Sequence, residues 1–213
     1  MKLFLDTANV EHVAEIAAWG VLDGVTTNPS LIAKEGKDFK KTVLEMCKYV
    51  PCVSAQVTET SFAGMKKQAE EYSSWHKHVV VKVPMTSEGL KTLVYCREKK
   101  IKTNVTLVFS VPQAIMAAKA GANIISPFVG RLDDMGEDGM LLIADIMAAW
   151  KHYGFNTEVL VASVRLPSHV TKAATLGAHI ATIPSDVFAK MVKHPLTDAG
   201  LKKFLEDWEK VKR

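Results

Sequence analysis

The stretch HVVVKVPM, residues 78–85, places a single lysine inside a run of valines. Such a run is typical of a strand buried on both faces, as in a parallel sheet. Lysine is rarely buried without a partner or a chemical task. Burial lowers its pKa from about 10.4, so a buried Lys82 becomes a free amine closer to neutral pH and a nucleophile for carbonyl carbon. The alternative is a lysine whose stem follows the strand while its ammonium reaches water.

Seven other short β-rich runs accompany this one, and amphipathic stretches separate them. The eight predicted strands lie near residues 2–6, 24–27, 52–57, 78–83, 102–106, 123–126, 158–163 and 179–183. This alternation predicts a parallel sheet, and eight units predict an α/β fold of the closed (β/α)8 TIM-barrel type. An open doubly wound sheet is the alternative. It would normally bring a glycine-rich turn after the first strand, which here ends with DTAN, residues 6–9.

The length and the tail predict one domain over residues 1–213 with an added helix over about residues 197–213. Five apolar side chains of that helix share one face, namely Leu201, Phe204, Leu205, Trp208 and Val211. A face of this kind must cover something. It either closes its own barrel or docks on a neighbouring subunit.

Composition excludes several classes of function. The chain is 48% hydrophobic and 23% charged, its formal charge is +4, and no basic stripe is interleaved with aromatic residues, so nucleic acid is not an expected partner. Three widely spaced cysteines without a Cys-x-x-Cys pair indicate a reducing compartment. Neither a signal peptide nor an apolar run of about 20 residues is seen, so we expect a cytoplasmic protein that does not bind membranes. His76 and His78 are the only close histidine pair and precede their strand, so no metal site is expected.

Polar side chains lie near the carboxyl ends of seven predicted strands. They include Asp6, Thr26, Thr27, Asn28, Gln56, Lys82, Asn104, Thr106, Ser126, Arg131, Ser163 and Arg165. One such residue means little, because turns favour these types. In a parallel barrel, however, the carboxyl ends meet at one rim, where active sites are built. The pattern therefore predicts a polar rim that includes Lys82.

Individual residues of this rim allow two interpretations. Asp6 is either a general base near Lys82 or a turn or cap residue, with Asn9 as a competing helix cap. The stretch TTNPS, residues 26–30, is either a loop with a helix cap or a site for sugar hydroxyls.

Two arginines follow strand-end serines, Arg131 after Ser126 and Arg165 after Ser163. Guanidinium groups with hydroxyls suit phosphate or another oxyanion. The alternative is a salt bridge at the rim to one of the nearby carboxylates, Asp133, Asp134 or Glu137.

Six blocks give the chain a resemblance to the small transaldolases and the fructose-6-phosphate aldolases. They are FLDTAN (4–9), GVTTNPS (24–30), VVKVPMT (80–86), TNVTLVF (103–109), SPFVGRLDD (126–134) and HPLTD (194–198). The resemblance runs essentially end to end. It implies a (β/α)8 barrel, a pentamer or decamer whose terminal helix reaches a neighbour, and catalysis that uses no metal or organic cofactor.

The resemblance also implies a reaction. Lys82 would form a Schiff base with the C2 carbonyl of a ketose phosphate, and Asp6 would take the proton of the C4 hydroxyl as the C3–C4 bond breaks. A dihydroxyacetone enamine would remain on the lysine. The residues that would bind the substrate are Thr26, Asn28, Asn104, Ser126 and Phe128, with Arg131, Ser163 and Arg165 at the phosphate.

The two branches of the family differ in the fate of the enamine, which transaldolases transfer to an acceptor and aldolases protonate and release. Transaldolases carry Glu near the end of the third strand and Phe in the sixth-strand block, where the aldolases carry Gln and Tyr. This chain combines Gln56 with Phe128. An amide cannot titrate, so Gln56 can only position a water, which Thr106 would also hold. Asn104 and the SPFVGRLDD block favour transaldolase, which is the prediction, with aldolase as the alternative.

Two further possibilities stay open at this stage. The barrel could bind a sugar phosphate without turnover, because Gln56 replaces the acid. The anion could also be a sulfonate, since the two arginines do not distinguish it from phosphate.

Overall fold

The computed structural model describes residues 1–211 and contains a closed ring of eight parallel strands. The strands are β1 (Lys2–Asp6), β2 (Gly24–Thr26), β3 (Val53–Gln56), β4 (Val79–Pro84), β5 (Thr103–Val108), β6 (Ile124–Pro127), β7 (Glu158–Val161) and β8 (Ile180–Ile183). Each strand pairs with the next along the chain, and β8 pairs with β1 to complete the ring. All eight strands were predicted. The TIM barrel is confirmed, and the open sheet is wrong.

Helices follow the strands around the outside of the ring. They are α1 (Val10–Ala17), α2 (Pro29–Glu35), α3 (Phe39–Met46), α4 (Phe62–Trp75), α5 (Ser87–Glu98), α6 (Val111–Ala120), α7 (Val129–Asp133), α8 (Gly139–Tyr153), α9 (Pro167–Thr175), α10 (Ser185–Met191) and α11 (Pro195–Trp208). Many begin at a side chain that caps the first turn, as Thr86 does when it accepts from the Gly89 N–H. The predicted end of α8 at Gly154 is also present, with the glycine in the left-handed conformation.

Strand alternation decides which side chains enter the barrel. On β4, Val79, Val81 and Val83 belong to the large core between the strands and the helices. Lys82 lies one residue out of phase with them and therefore points to the other face, into the ring. A smaller apolar cluster fills the barrel interior, formed by Phe4, Ile124, Leu160, Ala162 and Ile180.

The terminal helix α11 leaves its apolar face in the open. Leu201, Phe204, Leu205 and Trp208 of α11, and Val211 just beyond its end, are each more than half exposed, so this face does not close the chain's own barrel. The helix was predicted over residues 197–213, and Lys212 and Arg213 lie outside the described residues. Within residues 1–211, no helix has both the length and the apolar composition that crossing a membrane requires.

Gly24 makes room for the ring of Phe4 inside the barrel, which gives a test of this packing. The two residues pair across β1 and β2, and a Cβ added to Gly24 would lie 2.5 Å from the Phe4 Cζ. We expect Gly24→Ala to lower the free energy of unfolding by about 1–3 kcal/mol, because Phe4 must leave its place. Equilibrium urea unfolding measures this change.

The matched control is Gly200→Ala on α11, where an added Cβ meets nothing within 4 Å. It should cause no loss of stability, since alanine favours helix more than glycine does. If Gly24→Ala were as stable as the parent chain, the packing described for Phe4 would be incorrect.

Candidate active site

A cavity of about 160 Å³ opens at the carboxyl ends of the strands. Its lining is formed by Asp6, Thr26, Asn28, Lys82, Ser126, Phe128, Arg131, Ala162, Ser163, Arg165 and Thr182. Nine of the twelve residues predicted to act in catalysis or to bind the substrate lie here, Phe128 among them; the exceptions are Gln56, Asn104 and Thr106, and Thr27 of the polar rim also lies outside the lining. The convergence expected of a parallel barrel therefore places most of the polar rim around one small space.

A larger cavity of about 850 Å³ lies at the opposite, amino-terminal end of the barrel. Lys2, His78 and Lys102 line it, and none of the predicted site residues does. Its greater size does not make it the better site for chemistry, because the buried lysine and carboxylate both face the smaller cavity.

Lys82 is buried and is held by the backbone. Its side chain is only 4% exposed, and Nζ donates a hydrogen bond to the Thr27 carbonyl oxygen at 2.9 Å. Burial lowers the pKa of the Lys82 amine to about 8; the charge of Asp6 opposes this shift and that of Arg131 adds to it. A useful fraction of the amine is therefore neutral near physiological pH, and the side chain does not extend into bulk water.

Asp6 faces the same cavity with the opposite shift. Burial raises the pKa of its carboxyl, while the Lys82 charge and a hydrogen bond from Thr26 lower it. Thr26 Oγ1 donates that bond to Asp6 Oδ1 at 2.8 Å. The competing role as helix cap belongs to Asn9, whose side chain accepts from the His12 N–H at 3.0 Å. The Asp6 carboxyl does not cap a helix and is free to act in the cavity. Burial moves the pKa values of the Asp6 carboxyl and the Lys82 amine toward each other.

Asn28 serves the fold and the cavity at once. Its side-chain oxygen accepts from the Leu31 N–H at 3.0 Å and so caps α2. Both interpretations of this stretch are therefore compatible, because the cap uses only the oxygen and leaves the amide N–H groups available to a ligand.

Ser126 is oriented from below by Asn104. Its hydroxyl donates to Asn104 Oδ1 at 2.7 Å, and Asn104 Nδ2 in turn donates to Ser54 Oγ at 3.1 Å. Asn104 is fully buried and lies outside the cavity lining. Because the Ser126 proton is donated to Asn104, the Ser126 oxygen presents its lone pairs to the cavity.

Gln56 and Thr106 lie on the strands that flank Lys82. Gln56 is the register partner of Lys82 on β3, and Thr106 pairs with Pro84 on β5. Thr106 is buried, and its Oγ1 has no hydrogen-bond partner within residues 1–211. A buried hydroxyl without a partner costs about 1–3 kcal/mol, so this atom is a natural place for a bound water or ligand.

A local irregularity follows Thr106. The register between β5 and β6 shifts between Val105 and Val108, and Leu107 adopts a positive φ of 62°. Such bulges change the direction in which neighbouring side chains point, and they are frequent beside active sites.

The two arginines differ in their surroundings. Arg165 Nη2 donates to Asp134 Oδ2 at 2.8 Å, so the rim salt bridge weighed as an alternative is present for this residue. The Arg131 guanidinium instead lies 5.1 Å from the centre of the Phe128 ring, and it forms no salt bridge within the described part of the chain. Arg131 is the arginine whose charge is better available to an anion.

The start of α7, which carries Arg131, is in close contact with the loop after β7, which carries Arg165. The Gly130 N–H donates to the Ser163 carbonyl oxygen at 3.1 Å, and a Cβ on Gly130 would lie 2.2 Å from that oxygen. Ser163 itself has a positive φ of 60°. Only glycine permits this approach, which fixes α7 against the loop after β7.

Thr182 is the polar residue that sequence reasoning missed. It lies on β8, the one strand for which no polar rim residue was expected, and its Oγ1 is 2.6 Å from Thr26 Oγ1. A signal was available: in HIATI, residues 179–183, the alternation places Thr182 on the same face as the inward Ile180. Among residues 1–211, no group of three or more His, Cys, Asp and Glu side chains could hold a metal ion.

Comparison with known proteins identifies relatives over the whole chain. A family profile described as transaldolase/fructose-6-phosphate aldolase matches residues 3–213. A probable transaldolase of Pelotomaculum thermopropionicum is 56% identical over 213 residues, covering 100% of this chain and 99% of the relative. Proteins with the same name from Brevibacillus brevis and Methanococcus maripaludis are 53% and 57% identical, and they cover 100% and 98% of this chain and 100% and 98% of their own lengths.

Lysine labelling over a pH series tests the lowered pKa of Lys82. Acetic anhydride reacts with neutral amines, so the labelling of Lys82 should rise with a midpoint near pH 8. Peptide mass spectrometry gives the rate, with the exposed Lys172 as internal reference. Because the charge of Asp6 raises the pKa of Lys82, Asp6→Asn should move the midpoint to lower pH. A midpoint near the ordinary lysine value of about 10.4 would contradict the described environment.

Proposed function

This chain belongs to the transaldolase/fructose-6-phosphate aldolase family, and we propose that it transfers a dihydroxyacetone unit from a ketose phosphate to an aldose phosphate through a Schiff base on Lys82. The observation that carries the proposal is the buried Lys82 amine, with a pKa of about 8, facing Asp6 in a cavity that two arginines also line. Fructose 6-phosphate is the expected donor.

The first half-reaction breaks the sugar. Lys82 Nζ bonds to C2 of the ketose, the C2 oxygen takes up protons and leaves as water, and an iminium ion remains. As Asp6 takes the proton of the C4 hydroxyl, the C3–C4 bond breaks and its electron pair moves toward the iminium nitrogen. An aldose phosphate leaves, and a three-carbon enamine stays on the lysine.

The second half-reaction reverses these steps on another sugar. The nucleophilic carbon of the enamine attacks the aldehyde carbon of the acceptor, and Asp6 returns its proton to the oxygen formed there. Hydrolysis of the new iminium releases the ketose product and regenerates the Lys82 amine. A carboxyl and an amine whose pKa values are shifted toward each other are suited to such proton exchange.

The rest of the cavity would hold the substrate. Asn28 N–H groups and the Ser126 oxygen would bind hydroxyls beside Lys82, and Thr26, which lines the same cavity, donates its proton to Asp6. Arg131 and Ser163 would bind the phosphate. Arg165 would join them by exchanging or sharing its bond to Asp134.

A second candidate is the aldolase reaction, in which the enamine is protonated and dihydroxyacetone is released. Gln56 favours it, because it lies beside Lys82 where a transaldolase would carry Glu. Phe128 favours transfer, since a phenyl ring has no hydroxyl with which to bind or deliver a proton. Our proposal gives Phe128 and the surrounding block the greater weight.

We also propose that the chain forms a homo-oligomer in the cytoplasm. The exposed apolar face of α11 needs a cover that the chain's own barrel does not provide, and a second copy would supply it. A pentamer or decamer agrees with the family resemblance. Sugar phosphates are the proposed ligands, and neither nucleic acid nor membrane is an expected partner.

Borohydride trapping tests the Schiff base. Incubation with fructose 6-phosphate followed by reduction should leave a three-carbon adduct on the peptide that contains Lys82. Lys82→Met should abolish the adduct and reduce transfer by about 10³-fold or more. The control Lys102→Met removes a lysine at the opposite end of the barrel and should retain both. An adduct on another lysine, or transfer without any adduct, would refute the mechanism.

Product analysis with and without an acceptor separates transfer from release. With erythrose 4-phosphate present, we expect the three-carbon unit to appear in the product ketose; without it, little free dihydroxyacetone should form. Sustained release without acceptor would replace transaldolase by aldolase. Gln56→Glu should change transfer little. If transfer appeared only in that variant, the natural chain would be a binding protein.

A further inference from the structure

Thr182 stands at one end of a short chain of side chains that leads to Asp6. It is 2% exposed and lines the cavity. Its Oγ1 lies 2.6 Å from Thr26 Oγ1, and Thr26 Oγ1 donates to Asp6 Oδ1 at 2.8 Å. The three residues come from β8, β2 and β1, so the chain crosses the place where the ring of strands closes.

A count of protons fixes the direction of these bonds. A hydroxyl has one proton to donate and two lone pairs. Thr26 gives its proton to Asp6, so it must accept at the other contact, and Thr182 must be the donor. Thr182 thus donates to the Thr26 oxygen while the Thr26 proton is donated to Asp6. The first bond polarises the Thr26 hydroxyl and strengthens its bond to the carboxylate.

The opposite direction is less favourable. If Asp6 were protonated and donated to Thr26, then Thr26 would donate to Thr182, and Thr182 would need an acceptor of its own. Within residues 1–211, its side chain has no hydrogen bond other than the one to Thr26. An acid protonated at its other oxygen could still accept from Thr26, but a carboxylate accepts the stronger hydrogen bond, so the bond from Thr26 favours the carboxylate over the carboxylic acid.

We propose that Thr182 is a positioning residue that acts through Thr26 to hold Asp6 as an oriented carboxylate facing Lys82. The importance of this for catalysis rests on the proposed function, in which Asp6 is the base. The hydrogen bonds from Thr182 to Thr26 and from Thr26 to Asp6 do not depend on that function, because they follow from the distances between the atoms.

Few other charged groups influence the protonation of Asp6. Lys82 across the barrel lowers the pKa of Asp6, and burial raises it. The neighbouring strands β2 and β8 carry no titratable side chain. On α10, which packs on β1, Asp186 and Lys190 form an exposed ion pair with each other.

The experiment compares Thr182→Val with Thr182→Ser. Valine has nearly the shape of threonine but cannot donate, whereas serine keeps the hydroxyl and loses the methyl group. The carboxyl ¹³C signal of Asp6, assigned with Asp6→Asn, is followed over a pH titration without substrate. We expect Thr182→Val to raise the midpoint by about 0.5–1 pH unit, the equivalent of one hydrogen bond, and Thr182→Ser to stay near the parent value.

The matched control is Thr157→Val. Thr157 is also buried, and its hydroxyl donates to the Ala122 carbonyl oxygen at 2.8 Å, but it lines the cavity at the other end of the barrel. This variant loses a buried hydrogen bond and should leave the Asp6 midpoint and the transfer rate unchanged. Thermal unfolding of all three variants measures any general loss of stability.

Activity supplies the second measurement. In Thr182→Val, the acidic limb of the kcat/KM profile for transfer should move to higher pH, and kcat should fall by roughly 3- to 10-fold with little change in KM. The role is overturned if the Asp6 midpoint of Thr182→Val equals that of the parent, if Thr182→Ser shifts as far, or if Thr157→Val shifts it too. A parent chain that forms no adduct with fructose 6-phosphate would refute the proposed function. The substrate-free titration would still decide whether Thr182 controls Asp6.

Discussion

Closure of the strand ring between β8 and β1 is the constraint on which the site depends. In an open sheet these two strands would be edges, and Asp6 and Thr182 would lie far from the middle strands. The parallel ring instead brings every carboxyl end to the same rim, and the register pairs Asp6 with Thr26, and Lys82 with Gln56 and Asn104. Backbone pairing thus places the groups before any side chain interacts.

The cavity is also where the fold accepts unfavourable burial. Lys82 and Asp6 are both withdrawn from water, and the hydroxyl of Thr106 has no partner within residues 1–211. Elsewhere the interior is filled by apolar side chains, as in the cluster around Phe4. Departures from good packing and full hydrogen bonding are expected to gather where a protein does its chemistry. Lys82, Asp6 and Thr106 agree with the assignment of the site, while the other buried group without a partner in residues 1–211, the indole N–H of Trp75, lies at the end of α4.

The strand order and most of the cavity lining could be predicted from the sequence, because the signals for strands and for rim residues are both local. Short β-branched runs marked the strands, and polar residues at their ends marked the rim. What the sequence could not show was position in three dimensions. Gln56, Asn104 and Thr106 lie beside or beneath the cavity rather than in its wall, and Thr182 was hidden among apolar neighbours. The amphipathic pattern of residues 197–213 could not show which surface it covers, because such a pattern is the same for a partner within the chain or in another copy.

The bond between Gly130 and Ser163 has a consequence for selectivity. It ties α7, which carries Arg131, to the loop that carries Arg165, while Lys82 is anchored to Thr27 on the other side of the opening. The span from the amine to the guanidinium groups is therefore set by the scaffold and not by flexible side chains alone. Under the proposed function, the ligand bonds covalently to Lys82 at one end and places its anion at the arginines at the other. Sugars one carbon too short or too long would then satisfy one end only.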